Sequence, residues 1–174
     1  MPTFRFATST DAPTLRDFSE RMFVTTYAQF NTPENMAMYV GKAFQIQQYL
    51  DDLAHAKVRF IIAEENDKLL AYCKLNIDKP LETNPTQKAI EISRFYVDVP
   101  FQGKGLAQEL MKECLTWAQA QEVDIVWLAV WQLYPKAIRF YEKCGFHIVG
   151  TTTFILGTDI QDDYLMEISC QTNN

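Results

Sequence analysis

The stretch "VDVPFQGKGLAQELM", residues 97–111, joins an apolar, β-branched segment to a sequence with helical spacing. Gly103 and Gly105 flank Lys104 at this junction, and glycine both adopts positive φ and lets a ligand approach the backbone. The first amides of a helix have no intrahelical acceptor, and the helix dipole adds partial positive charge there. Phosphate groups suit such a site. The stretch therefore predicts an anion-binding loop at residues 102–108.

Two common phosphate-binding signatures do not fit this loop. The chain has no G-x-x-x-x-G-K-[ST] motif, and Gln108 stands where the dinucleotide fingerprint requires its third glycine. A bare G-x-G pair is as typical of plain turns as of binding loops. The more specific pattern is Gln102-x-x-Gly105-x-Ala107, placed after a strand and before an amphipathic helix. In this pattern Gln102 is expected to add an amide donor and Lys104 a mobile cation.

The segments beside the loop predict a sheet with helices packed on it. Residues 89–99 alternate as a strand, and residues 103–121 carry an apolar helical stripe that includes Leu106, Leu110 and Cys114. The apolar run "DIVWLAVW", residues 124–131, is typical of a strand covered on both faces. The alternation in the first strand predicts two sets on opposite faces: Ile90, Ile92 and Arg94 on one, and Glu91, Ser93 and Phe95 on the other.

The remaining segments complete a mixed α/β (α+β) fold of about seven strands and four to five helices, in one domain spanning residues 1–174. Leu15, Phe18, Met22 and Phe23 mark the buried face of a first helix. "NTPENM" predicts a second helix start, with Asn31 or Thr32 as the cap. Further predicted elements are a helix at 45–56, a hairpin of 59–65 and 69–77, a helix at 135–143, and closing strands at 146–156 and 164–170 joined by the polar turn "GTDIQDD".

Composition excludes several classes of function. The net charge of −6 argues against a nucleic-acid binder, whose phosphate contacts need a basic surface, and weakly favours cationic partners. The sequence lacks an apolar run of membrane-spanning length and a signal peptide, so a cytoplasmic protein is expected. The 4 cysteines are far apart, and with 2 histidines they predict reduced, packed thiols and no metal site.

Two stretches together resemble the GNAT family of N-acetyltransferases. Residues 97–111 are similar to that family's [QR]-x-x-G-x-[GA] loop, and "AIRFYEKCGF", residues 137–146, is similar to its A-x-x-F-Y-x-x-x-G-F signature. The order and spacing of the two also match, with a strand between them. The resemblance implies the GNAT fold, with two parallel central strands that splay apart, and acetyl-CoA as the cofactor, its pantetheine arm in the gap.

The resemblance also implies how the cofactor is held. Backbone N–H groups of the loop would bind the phosphates, edge groups of the preceding strand would pair with the pantetheine amides, and an N–H near Val97 would polarise the thioester carbonyl. Tyr134 stands where the family often has an asparagine, which puts that contact in doubt. The expected cofactor-binding residues are Phe95, Tyr96, Val97, Gln102, Gly103, Lys104, Gly105, Leu106, Ala107, Tyr134 and Tyr141.

Acetyl transfer to an amine also requires proton movements. Primary amines have a pKa of about 10.4 and must lose a proton to attack, and the thiolate that leaves, with a pKa of about 8.5, must gain one. Tyr141, at the family's tyrosine position, is the expected acid, and Glu91 is the candidate base. Glu91 can equally be a solvated charge or a partner of Arg94. We expect direct transfer in a ternary complex without an acyl-enzyme, on the interpretation that both signatures are free of cysteine.

The acceptor is harder to predict. Several stretches resemble bacterial PaiA-like acetyltransferases, which act on spermidine and spermine, so a small amine, with polyamines first, is the leading hypothesis. The alternatives are a peptide or protein amine and a catalytically idle acyl-CoA sensor; a homodimer is left open. Tyr27, Glu34, Tyr39 and Glu91 are the candidate acceptor residues. Trp127 is expected in the core, Trp131 is left open between core and cofactor contact, and Asp159, Asp162 and Asp163 are expected in a solvated turn.

Overall fold

The structure, a computed structural model, describes residues 1–170 of the chain. Its strands are β1 (Thr3–Phe6), β2 (Val58–Glu65), β3 (Lys68–Ile77), β4 (Ala89–Val97), β5 (Ile125–Trp131), β6 (His147–Leu156) and β7 (Asp159–Ser169). Its α-helices are α1 (Ala12–Tyr27), α2 (Pro33–Ala43), α3 (Ile46–Ala54), α4 (Leu106–Gln119) and α5 (Pro135–Lys143). The predicted elements are all found, with shifted ends.

The strands form one mixed sheet in the order β1-β2-β3-β4-β5-β7-β6. Neighbouring strands are antiparallel except β4 and β5, which pair in parallel. The predicted hairpin of β2 and β3 turns at Asn66 and Asp67, whose φ values are 51° and 59°. Two left-handed residues in succession are typical of a type I′ turn, which matches the twist of the flanking strands. The predicted fold class is confirmed.

Helices cover both faces of the sheet, and two core clusters lie beneath them. The cluster under α4 and α5 includes Leu110, Met111 and Leu128, and the cluster under α1, α2 and α3 includes Leu15 and Tyr72. The apolar face predicted for α1 is confirmed, since Leu15, Phe18, Met22 and Phe23 are all buried. The sheet is therefore the middle layer, and anything that crosses it must pass between strands.

The start of α2 ties this helix to the far end of the chain. The Thr32 side chain accepts a hydrogen bond from the Asn35 amide at 3.2 Å, which is a helix N-cap. The side-chain oxygen of Asn35 in turn accepts from the Thr158 amide at 2.9 Å, and that of Asn31 accepts from Gln161 Nε2 at 2.7 Å. Hydrogen bonds thus link the β6–β7 hairpin to the start of α2 and to the segment that precedes it.

The predicted turn between the last two strands was too long. β7 begins at Asp159, because the reversal takes only two residues, with Gly157 at φ +65°. Aspartate is depleted in strands, which is why the acidic segment resembled a turn. The correction moves Asp163 from a turn into the middle of a strand.

No helix among residues 1–170 has the length and apolarity needed to cross a membrane.

Candidate active site

The sheet opens between its two parallel strands. The register of β4 and β5 runs from Ala89 with Ile125 to Ile92 with Leu128 and ends there, whereas β5 stays paired with β7 as far as Trp131. Ala129, in the middle of a central strand, is consequently exposed. A cavity of about 460 Å³ occupies the opening. The predicted splay is therefore present.

A β-bulge in β4 decides which side chains face each half of this cavity. Lys74 pairs with Arg94 and Leu75 with Ile92, so Ser93 is the extra residue. A bulge shifts the alternation of a strand and re-aims the side chains that follow it. The prediction that Arg94 shares a face with Ile92, and Phe95 with Glu91, was wrong for this reason: Phe95 packs on the cluster under α4, and Arg94 lies over the Phe44 ring on the opposite face.

The cavity therefore has two halves, one on each face of the sheet. The α4-side half is lined by residues that include Phe95, Val97, Gln102, Val130, Ala137 and Tyr141. The α1-side half is lined by residues that include Tyr27, Tyr39, Glu91, Arg94, Trp131 and Asp163. A passage through the middle of a sheet lets two molecules approach from opposite faces and meet.

The glycine loop stands beside the α4-side half. Gly103 and Gly105 have φ values of +71° and +94°, and an added Cβ would meet no atom within 4 Å at either. Positive φ explains why glycine is needed there, and the open space in front of both residues leaves room for a ligand. α4 begins at Leu106, so the amides of Leu106 and Ala107 lie in the first helical turn, with Lys104 exposed next to them. The geometry is that of an anion cradle.

Tyr141 projects from α5 into the α4-side half. Its ring packs edge-on against Phe95 at 6.3 Å and Phe146 at 6.0 Å between centroids, so the surrounding aromatic residues fix its position. Burial raises the pKa of Tyr141 above its ordinary value. The phenol therefore keeps its proton at neutral pH and is available as a hydrogen-bond donor within the cavity.

Glu91 lies on the α1-facing side of β4 and lines the cavity. Its carboxylate accepts a hydrogen bond from Asn76 Nδ2 at 2.7 Å, which fixes one of its two oxygens. Within residues 1–170 its carboxylate makes no ion pair with Arg94, so the structure does not support the alternative that Glu91 is the partner of Arg94. The residue is held in place and faces the opening, as a base at this position requires.

Asp163 is a second carboxylate in the α1-side half, and the sequence did not predict it there. On β7 it stands opposite Trp131, whose ring packs edge-on against Tyr27 at 6.2 Å. Burial, with a smaller contribution from the charge of Asp162, raises the pKa of Asp163 to about 6. The expectation of a solvated turn was wrong because the turn ends before β7. A carboxyl that titrates near neutral pH is well suited to exchange protons.

The comparisons with known proteins agree with this geometry. The chain matches the model of the Acetyltransferase (GNAT) family over residues 19–146. The chain belongs to the GNAT family of acetyltransferases. It is accordingly an acyltransferase that depends on acetyl-CoA, as the sequence predicted.

Relatives of this GNAT acetyltransferase differ in how much of its length they cover. An uncharacterized N-acetyltransferase of Lactobacillus delbrueckii subsp. lactis is 26% identical over 157 residues, which span 90% of this chain and 91% of the relative. A spermine/spermidine N(1)-acetyltransferase of Bacillus subtilis is 30% identical over 64 residues only, 36% of this chain and 42% of the relative. The crystal structure of a PaiA N-acetyltransferase from Thermoplasma acidophilum with coenzyme A has a TM-score of 0.80 at 18% identity, covering 97% of this chain and 99% of that one. That likeness establishes the fold.

The structure changes the role expected for Gln102 in this GNAT acetyltransferase. Its side-chain Nε2 donates to the Val97 carbonyl at 2.9 Å, and its backbone N–H donates to Val99. Its Oε1 accepts from Lys136 Nζ at 2.8 Å. Gln102 thus stabilises the loop through bonds within the protein, and its Nε2, the expected donor to phosphate, already donates to Val97. Lys136, which the sequence did not predict, brings a second cation near the loop from α5, 34 residues further along the chain.

The other predicted residues fall into three groups. Tyr27, Tyr39 and Tyr134 line the cavity, and Tyr134 packs against Tyr27 with ring centroids 6.3 Å apart. Trp127 is buried, as predicted, and donates to the Lys79 carbonyl at 2.6 Å, whereas Trp131 lines the cavity. Glu34 is exposed in the first turn of α2, where its charge complements the helix dipole, and it does not line the cavity, so its role in acceptor binding stays a prediction.

The cysteines lie away from the cavity in the part of the chain that the structure describes. Cys144 does lie within the second signature, contrary to the interpretation that both signatures are free of cysteine. Burial raises the pKa of its thiol, and none of the four cysteines, all within residues 1–170, lines the cavity. No group of three or more candidate ligands in the same residues could hold a metal ion. The expectation of transfer without an acyl-enzyme stays a prediction.

Proposed function

We propose that this GNAT acetyltransferase acetylates the primary amine of a small molecule, which attacks directly while both substrates are bound. The observation that carries the proposal is the passage through the sheet between β4 and β5. The α4-side half borders the glycine loop and receives the acetyl donor. The α1-side half, with Glu91 and Asp163, receives the amine.

The residues present fit acetyl-CoA. Gly103, Lys104, Gly105 and the first-turn amides of α4 would hold its phosphates, because open space and partial positive charge meet there. The edge of β4 from Phe95 to Val97 lies beyond the β5 register and would pair with the pantetheine arm. Acetyl-CoA supplies an activated thioester. The chain then has to orient the amine and move two protons.

The carboxylates of the α1-side half remove the proton from the amine. Because a primary amine is mostly protonated at neutral pH, an acceptor for that proton must stand beside it, directly or through a water molecule. Glu91 is held by Asn76, and Asp163 has its pKa raised to about 6. A raised pKa makes a carboxylate a stronger proton acceptor, so Asp163 joins Glu91 as a candidate base.

Tyr141 acts at the other end of the reaction. Its hydroxyl, whose pKa burial raises above the ordinary value of 10.0, holds a proton at neutral pH, and it lines the half that receives the thioester. It donates a hydrogen bond, and then the proton, to the departing sulfur. The two proton-transfer groups thus lie on opposite faces of the sheet, which matches a direct attack through the opening.

Polyamines are the first acceptors to test. Two carboxylates in the α1-side half and the 64-residue likeness to a spermine/spermidine N(1)-acetyltransferase support them. Arg94, a cation in the same half, counts against a polycation. A homodimer, which the sequence leaves open, stays untested.

The test is thiol release from acetyl-CoA by the purified protein, with polyamines, amino acids, aminoglycosides and a peptide as acceptors. We expect at least one small amine to raise the rate well above the rate without acceptor. Stimulation by the peptide alone would replace the small-molecule proposal with acetylation of a macromolecule. Tight binding of acetyl-CoA without stimulation by any acceptor would favour a sensor.

A further inference from the structure

The bulge in β4 places Arg94 in the α1-side half of the cavity, which receives the amine. Without Ser93 as an extra residue, the side chain of Arg94 would lie on the face of the sheet that α4 covers, as the alternation of the sequence predicts. Instead it lines the α1-side half, partly buried, with its guanidinium 5.0 Å from the centroid of the Phe44 ring. Bulges next to active sites commonly serve to re-aim a side chain.

Within the described residues, the guanidinium of Arg94 forms no ion pair with a carboxylate. Among residues 1–170, no carboxylate lies within 4.0 Å of it. Burial disfavours its charge, and the neighbouring phenols of Tyr72 and Tyr96 are neutral at pH 7 because burial raises their pKa. Lys74, the other cation lining the cavity, pairs with Asp52 at 2.6 Å. A charge withdrawn from water without a counter-ion costs free energy, which a bound anion recovers. Arg94 is therefore the cation of the α1-side half whose charge a bound anion would neutralise.

The same half also holds groups that suit an ammonium. Glu91 lies on β4, as Arg94 does, and Asp163 on β7 lines the same cavity. One cation and two carboxylates on the walls of a single cavity complement a molecule that carries both charges. A guanidinium binds a carboxylate through two parallel N–H···O bonds, which fixes orientation as well as affinity.

We propose that Arg94 binds a carboxylate of the acceptor, so that the amine substrate is an amino acid or a similar amino-carboxylate. The inference rests on the proposed function for the reacting amine and narrows it to a substrate class. The carboxylate on Arg94 turns the amine toward the carboxylates of Glu91 and Asp163 and toward the opening in the sheet. A polyamine offers nothing to Arg94 and leaves its charge unneutralised.

The first experiment compares amines that differ only by a carboxylate: lysine with cadaverine, ornithine with putrescine, and phenylalanine with phenethylamine. We expect kcat/KM to favour the carboxylated member of the preferred pair by at least about tenfold. Arg94→Met should lower that preference by about 10- to 100-fold, because a charge-assisted bond is lost. Arg94→Lys, which keeps the charge but not the fork, should retain part of it.

Arg59→Met is the matched control, since Arg59 lies on β2 outside the cavity and bonds to backbone carbonyls near it. It should leave the preference unchanged. Circular dichroism and thermal unfolding establish that each variant is folded. Preference for the decarboxylated member in every pair, or a preference that Arg94→Met does not alter in a folded protein, would overturn the proposal.

A binding experiment separates this inference from the proposed function. With coenzyme A present, binding of Nε-acetyl-lysine and of N-acetylcadaverine is followed by the intrinsic tryptophan fluorescence, to which Trp131 in the cavity contributes. We expect tighter binding of the carboxylated product and loss of that difference in Arg94→Met. If no amine is acetylated, the proposed function fails, yet this difference still supports the carboxylate site. Equal binding of the two products refutes it.

Discussion

The two halves of the cavity are built from different parts of the sequence. The α4-side half takes most of its residues from two compact segments, the glycine loop with the end of β4, and α5, and adds Val130 of β5. The α1-side half combines side chains of α1, α2, β4, β5 and β7, from Tyr27 to Asp163. The first half offers mainly backbone groups and one phenol, whereas the second offers charged side chains from distant strands.

This difference shows which part of an enzyme leaves a signature in its sequence. A phosphate cradle needs glycines at fixed positions before a helix, so its pattern is local and readable. A site for the acceptor needs side chains that the fold brings together, and their spacing along the chain is free. We expect substitutions in the α4-side half to change the affinity for acetyl-CoA or the rate of the chemical step. Substitutions in the α1-side half should change kcat/KM for the amine.

Tyr141→Phe should have the largest effect. Removing the phenolic proton should lower kcat by about 100-fold or more, because a general acid contributes on that scale, while acetyl-CoA affinity changes little. Stopped-flow measurement of thiol release and calorimetric titration of acetyl-CoA give the two quantities. Phe140→Leu, which alters the neighbouring ring that packs on Tyr141 at 5.3 Å, is the control for packing. Turnover at the wild-type rate would remove Tyr141 from the mechanism.

Asp163→Asn should lower kcat/KM for the amine by about 10- to 100-fold and remove the acidic limb of the pH–rate profile near pH 6. Glu91→Gln provides the direct comparison on β4. If Glu91 is the base instead, its variant will move the acidic limb and Asp163→Asn will leave the profile superimposable on that of the wild type.

Asp163→Asn should lower the activity of the enzyme but raise its stability at pH 7. The pKa of Asp163 is raised by folding, so between its ordinary value of 3.8 and about 6 the folded state binds more protons than the unfolded state. Wild-type stability therefore falls as pH rises through this range. Asp163→Asn should lack this loss and be the more stable protein at pH 7. Thermal unfolding from pH 4 to 8 measures it, and parallel curves for the two proteins would contradict the raised pKa.

Lys104→Glu should weaken acetyl-CoA binding by about tenfold, because a negative charge then faces the phosphates in the glycine loop. Lys112→Glu makes the same charge change at an exposed position further along α4, away from the loop, and should have a smaller effect. Calorimetric titration at low and physiological salt compares them. Equal affinities for the two variants would mean that the loop does not hold the phosphates.

Much of the fold could be predicted from the sequence, and the acceptor half could not. The glycine loop, the position of Tyr141 and the buried face of α1 each rest on a local pattern. The face of Arg94 depends on a single extra residue, Ser93, which alternation cannot reveal because a bulge leaves the local composition unchanged. Asp163 was missed because an acidic strand resembles a turn, and only the pairing with β5 shows otherwise.

Gly157→Ala should have the smallest effect on chemistry and tests how the α1-side half is held together. A Cβ at Gly157 would lie within 2.7 Å of the Asn35 Cα, and its φ of +65° disfavours other residues. Alanine should therefore destabilise the protein by about 1–3 kcal/mol and loosen the hairpin that carries Asp163. Gly41→Ala, within α2 and with no atom within 4 Å of an added Cβ, should instead stabilise by about 0.5–1 kcal/mol. We expect Gly157→Ala to raise KM for the amine a few-fold while acetyl-CoA affinity is retained, since Gly157 and Thr158 are not among the residues that line the cavity. Equal losses for both substrates would show that the two halves are coupled through the sheet.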